Sequence, residues 1–134
     1  MRKRKKSTYN HFILNETPEY FHNSPFELEI RESTIKNAGK GVFAKSFIPK
    51  NVYIDEYVGE IRKFNPMGGY YFEIREEYGI DARNYPRCYM GMLNDSRNIY
   101  NCEFKVEGDR VYVWSISDIS IGDELFICYG DSYF

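Results

Sequence analysis

Three short stretches hold residue types that could do chemistry. Gly39 and Gly41 flank Lys40 in the run Asn37–Gly41, and two glycines so placed permit left-handed backbone and close approach of a ligand to the main chain. Asn94-Asp95-Ser96 groups an amide, a carboxylate and a hydroxyl, a pattern that also makes an ordinary turn or helix N-cap. Tyr129-Gly130 closes the run Glu124–Cys128 and leaves a phenol where a glycine lets the chain turn. Each stretch has a bland reading, and a tyrosine ending a strand is usually a half-buried packing residue. The Gly-x-Gly is not a dinucleotide fingerprint, because no amphipathic helix follows it. Cys88, Cys102 and Cys128 are scattered, odd in number and in no C-x-x-C pair, which argues against a disulfide framework and against a metal site. They fit a reducing compartment. Cys128 is read as a small core residue, and His11 and His22 are assigned no role.

These stretches need elements to position them. With 134 residues the chain is one domain with room for a modest core. Thirteen Tyr and ten Phe against one Trp favour strands and a tyrosine-lined groove over a helical bundle. Phe26, Leu28 and Ile30 alternate with charged residues as a half-buried strand does. Val42–Ala44, Val52–Tyr57, Tyr70–Ile74 and Glu124–Cys128 read as further strands, and Phe104–Trp114 as a hairpin around Glu107-Gly108-Asp109. Gly79–Ala82 is strand or turn, and Tyr89–Leu93 one helical turn. No long segment of period 3.6 appears. The expectation is a mostly β body over residues 26–134 behind a basic and polar lead, 1–25. No apolar run is long enough to span a bilayer and no signal-peptide core follows the basic start, so a soluble intracellular protein without membrane contact is expected.

The formal net charge of −2 hides an asymmetry. Arg2, Lys3, Arg4, Lys5 and Lys6 are five of 18 basic residues, so the other 13 face 20 acidic ones and the rest of the chain carries −7. An acidic body suits a Lys/Arg-rich peptide partner and is poorly suited to neutralising nucleic-acid phosphates. Arg2–Lys6 reads as a solvated tail, a nuclear-import signal or a chromatin-anchoring arm, with import favoured, which places the protein in a nucleus.

In this order the motifs resemble the SET domain, the fold of most protein-lysine methyltransferases. Gly39–Ala44, Ile48-Pro49-Lys50 and Glu56–Ile61 resemble the family's opening block. Ile80-Asp81-Ala82, then Asn94-Asp95-Ser96 with Asn101-Cys102, then Gly122–Leu125 with Tyr129-Gly130 resemble its later blocks. Asp95 stands where the family usually has histidine, Gly91 and Met92 where it often has arginine and phenylalanine, and the flanking cysteine-rich zinc segments are absent. In its brevity the chain is similar to minimal viral SET enzymes, and a viral protein would act in the host nucleus.

The resemblance implies a mostly β, β-clip-like fold of several small sheets with knot-like C-terminal threading. It implies S-adenosyl-L-methionine as cofactor and a lysine of a basic protein, a histone tail foremost, as substrate. Tyr129 is then the catalytic phenol, and Tyr57, Ile127 and Tyr133 line the lysine channel. Gly39, Lys40, Gly41, Tyr70, Asn94, Asp95 and Phe134 are the implied cofactor contacts. Ile127 in place of a water-holding tyrosine points to di- or trimethylation. A self-associating pair of chains could complete the site. The alternative is a non-catalytic SET/PR-like module for protein or chromatin recognition, with Asp95 the residue that favours it.

Overall fold

The computed structural model describes residues 18–128. Expectations for Arg2–Lys6, His11, Tyr129, Tyr133 and Phe134, and for threading beyond Cys128, lie outside the described residues. Among the described residues twelve short strands alternate with turns: β1 Tyr20–Phe21, β2 Leu28–Glu32, β3 Lys40–Ala44, β4 Tyr53–Tyr57, β5 Glu60–Arg62 and β6 Tyr71–Arg75. They continue as β7 Tyr78–Asp81, β8 Arg87–Cys88, a 3₁₀ turn Tyr89–Met92, β9 Asn94–Asp95, β10 Cys102–Glu107, β11 Arg110–Ser115 and β12 Glu124–Ile127. The mostly β architecture expected from the aromatic, alternating sequence is the one observed.

The main sheet runs β2-β3-β12-β10-β11-β4, with β9 also pairing β12. β10 and β11 form the expected hairpin, in register from Cys102 opposite Ser115 to Glu107 opposite Arg110. β12 pairs antiparallel with β3 and parallel with β9 and β10. Enclosed in this way, all four of its residues are buried, so the polar–apolar alternation of Glu124–Cys128 does not give one solvated face. Its Leu125 and Ile127 join Val42, Ile54, Met90, Val111, Val113 and Ile119 in the core.

A second sheet, β5-β7-β6, carries Asp81 at its centre. The Asp81 carboxylate is fully buried and accepts from Arg62 Nε at 2.6 Å and Arg83 Nε at 3.3 Å, the paired state a buried charge requires. Gly79–Asp81 is strand, and Ala82 lies just beyond it. β6 starts at Tyr71 because Tyr70 takes φ +67°, which is not extended. The described part of the lead packs on the body: β1 pairs in parallel with β8, and Asn23 N–H donates to Asp55 Oδ2 at 3.1 Å. His22 sits there too, its ring edge-on to Tyr89 with centroids 4.5 Å apart.

Candidate functional site

A cavity of about 360 Å³ opens where three distant parts of the chain meet. Gly39 and Lys40, at the head of β3, form one wall, and Gly68, Gly69 and Tyr70 face them. Met92, Leu93 and Asn94, running from the 3₁₀ turn into β9, complete it. The volume falls in the ~300–1,000 Å³ range of small-molecule sites. Gly39 has φ +77° and nothing within 4 Å of where a Cβ would stand, so the backbone is bare toward open space there. Main-chain polar groups, one aromatic ring, one amide and one ammonium thus surround the cavity, a donor set that fits a cofactor with a heteroaromatic ring and an amino-acid end.

Tyr70 is held in place from outside. Arg87 lies 4.0 Å over its ring and 4.2 Å over that of Tyr85, a stacking geometry natural to guanidinium. Arg83, already bound to Asp81, also donates to the carbonyl of Met67. Met67, Gly68, Gly69 and Tyr70 are four successive residues with positive φ. A run of that conformation is unfavourable for the two non-glycine members, and the two arginines brace it.

Asn94 is fixed more tightly. Its Nδ2 donates to Lys40 O at 3.1 Å and to Glu124 Oε2 at 3.2 Å, locking β9 to the glycine loop. Glu124, at the start of β12, is 5% exposed. Its other donors are Ser33 Oγ at 2.8 Å, Thr34 N at 2.8 Å and Thr34 Oγ1 at 2.7 Å. Gly41 belongs to this knot rather than to the cavity wall: a Cβ there would stand 2.2 Å from Glu124 Oε2 and 2.9 Å from Asn94 Nδ2. The close approach that Gly41 permits is therefore to Glu124, and the open position is Gly39.

Of the other expected site residues, Asp95 is exposed and pairs with Ile127 across β9 and β12, away from the cavity lining. Tyr57 is buried, its ring 6.0 Å from Phe72 and 5.8 Å from Phe104. Ile127 is fully buried in the core. Cys128 is only half-buried, unlike the core residue expected. Burial pushes the Cys88 and Cys102 thiols up, so neither is a ready thiolate. Among the described residues no group of three or more His, Cys, Asp or Glu is placed to hold a metal ion.

Sequence reasoning missed Gly68 and Gly69, and it missed Arg83, Arg87, Ser33, Thr34 and the partners of Glu124. The adjacent glycines before a tyrosine were the one local signal; the rest are contacts between segments up to 91 residues apart.

The SET-domain family model matches residues 39–130, a span that includes β3, β9 and β12. Over 119 residues the chain is 29% identical to the histone-lysine N-methyltransferase MECOM of Mus musculus, covering 77% of this chain and 9% of that protein. The methyltransferase domain of human PR domain-containing protein 2 has the same fold, with a TM-score of 0.69 at 20% identity over 77% of this chain and 76% of that one. KRYPTONITE, solved in complex with mCHH DNA, H3(1-15) peptide and SAH, gives a TM-score of 0.67 at 27% identity, over 80% of this chain and 24% of that one. The chain thus spans a small part of the length of MECOM and of KRYPTONITE.

Proposed function

The chain belongs to the SET-domain family, and from that premise we propose that it is an S-adenosyl-L-methionine-dependent protein-lysine N-methyltransferase acting on a basic, histone-type tail. The observation that carries this reading is the convergence of Gly39-Lys40, Tyr70 and Asn94 on one cavity, beside the strand that leads to Tyr129. The bound ligands of KRYPTONITE, a histone H3 peptide and SAH, support both substrate class and cofactor.

When bound, the cofactor supplies a methyl group to an amine. The chain's own task is to position both partners and to receive the amine without its proton. The bare backbone at Gly39 and the Tyr70 ring would take the flat and polar parts of the cofactor. The Lys40 ammonium suits a carboxylate, and Asn94 a neighbouring polar group. A lysine amine ordinarily holds its proton to pKa ~10.4, and an apolar aromatic channel disfavours the charged form. Tyr57, Phe72 and Phe104 form an aromatic cluster of the kind such a channel needs. Tyr129 is proposed as the phenol orienting the amine, with Tyr133 and Phe134 closing the site. Ile127 offers no side-chain hydrogen bond to a crowding water, so the products are di- and trimethyl-lysine. The acidic body favours a Lys/Arg-rich sequence around the target, and action in the nucleus follows from a histone substrate.

Calorimetry with S-adenosyl-L-methionine, followed by incubation of labelled cofactor with mixed histones, tests the proposal. Binding and label transfer to histone lysines are expected, with mass spectrometry showing dimethyl or trimethyl product. Absence of cofactor binding sinks the enzyme reading. Binding without transfer favours a recognition module instead, the reading to which the exposed Asp95 points.

A further inference from the structure

Glu124 is a buried carboxylate with no described lysine or arginine in ion-pair contact; its four donors among the described residues are the neutral groups of Ser33, Thr34 and Asn94. Holding such a group away from water is costly unless every lone-pair direction is used. Here each carboxylate oxygen takes two donors, Oε1 from Thr34 and Oε2 from Ser33 and Asn94, the complement of an acceptor-only group.

The same arrangement decides the orientation of Asn94. Both partners of its Nδ2, Lys40 O and Glu124 Oε2, are acceptors. The opposite amide orientation would set Oδ1 against two oxygens, leaving repulsion where there are now two hydrogen bonds. With Nδ2 spent on these contacts, Oδ1 is the amide's remaining acceptor, on a residue that lines the cavity. Without the carboxylate, Lys40 O alone would hold the amide, through one hydrogen bond on a partly exposed side chain.

We propose that Glu124 is a positioning residue of the cofactor site, its buried carboxylate orienting the Asn94 amide so that Oδ1 is offered to a donor of the bound cofactor; the inference rests on the cofactor reading above. Glu124 also opens β12, so the side chain that sets Asn94 is built into the strand leading to Tyr129. Gly41 is the residue that makes room for it.

Glu124→Gln is the informative change, since it keeps the size but brings an NH₂ group. Set toward Thr34, that NH₂ faces a backbone N–H that cannot become an acceptor. Set toward Asn94, it favours the flipped amide, whose Oδ1 then opposes Lys40 O. Calorimetry should show cofactor affinity reduced on the order of tenfold or more in Glu124→Gln, the scale of one hydrogen bond to a charged group. Asn94→Ala should lose affinity too, and adding Glu124→Gln to it should cost little more, because the two act through one amide. A merely structural Glu124 would lower affinity by the same factor in both backgrounds, and that result overturns the proposal. The ligand-free protein supplies a second readout: the Asn94 side-chain NH₂ signals in a ¹⁵N spectrum should be slow to exchange in wild type and shifted and fast in Glu124→Gln. Unchanged signals also overturn it. If wild type binds no cofactor, the functional reading fails while the NH₂ signals still decide the orienting role. Should Glu124→Gln not fold, Glu124→Asp keeps the charge, withdraws it from Asn94 and is judged by the same measurements.

Discussion

Tyr129, the proposed catalytic phenol, follows in sequence soon after a strand whose four residues are all buried. On the proposal that it orients the amine, its value should lie in one hydroxyl. Tyr129→Phe is expected to reduce methyl transfer on the order of 10²-fold or more, the scale of a lost transition-state hydrogen bond, with cofactor affinity and melting temperature close to wild type. Near-normal turnover on a histone peptide would remove Tyr129 from the chemistry. The glycine motif shows how residue identity can be legible while its purpose is not. Gly39 and Gly41 look equivalent as letters, yet one opens on the cavity and the other makes room for Glu124. The difference arises because Glu124 lies more than 80 residues away in sequence and becomes a neighbour only through the pairing of β12 with β3.

Among the elements, β4 meets the lead through one acid. Asp55 is 3% exposed and accepts the N–H groups of Asn23 and Glu56. Burial raises its pKa above the ordinary carboxylate value, although both N–H bonds and nearby His22 pull the other way. A raised folded pKa means that the native state holds this proton more firmly than the unfolded chain does. The contribution is stabilising below the unfolded pKa of ~3.9 and is lost as pH rises through the folded value. Measured by urea melts from acid to neutral pH, Asp55→Asn should therefore show a shallower decline in stability than wild type. An equal or steeper decline would show that the two N–H bonds outweigh burial. The elements themselves were largely readable, because alternation marks a strand before its partner is known. Their edges were not: Tyr70 reads as a strand residue but takes a left-handed φ, since Arg87 stacks on its ring and its carbonyl accepts from Ala82 N.

The whole molecule combines a basic start with an excess of acidic residues elsewhere. Transfer to an Arg/Lys-rich peptide should weaken as salt rises, mainly through KM, as the screening length falls from ~10 Å at 0.1 M to ~3 Å at 1 M. Removing Met1–Lys6 should alter nuclear localisation or chromatin association more than turnover on a short peptide. A large loss of peptide turnover would instead tie that segment to the active site. From its sequence alone the chain is a mostly β SET domain with a glycine loop, an asparagine and a tyrosine in family order, because strand alternation and motif spacing are local and survive in one dimension. The tertiary structure alone decided that Asn94 and Gly41 meet at a buried carboxylate, that Gly68 and Gly69 wall the cavity, and that Arg87 braces Tyr70 while Arg83 holds Met67. Those are contacts between residues far apart in sequence, and no local pattern of side chains encodes which hydrogen-bond donor will find which acceptor once the sheets close.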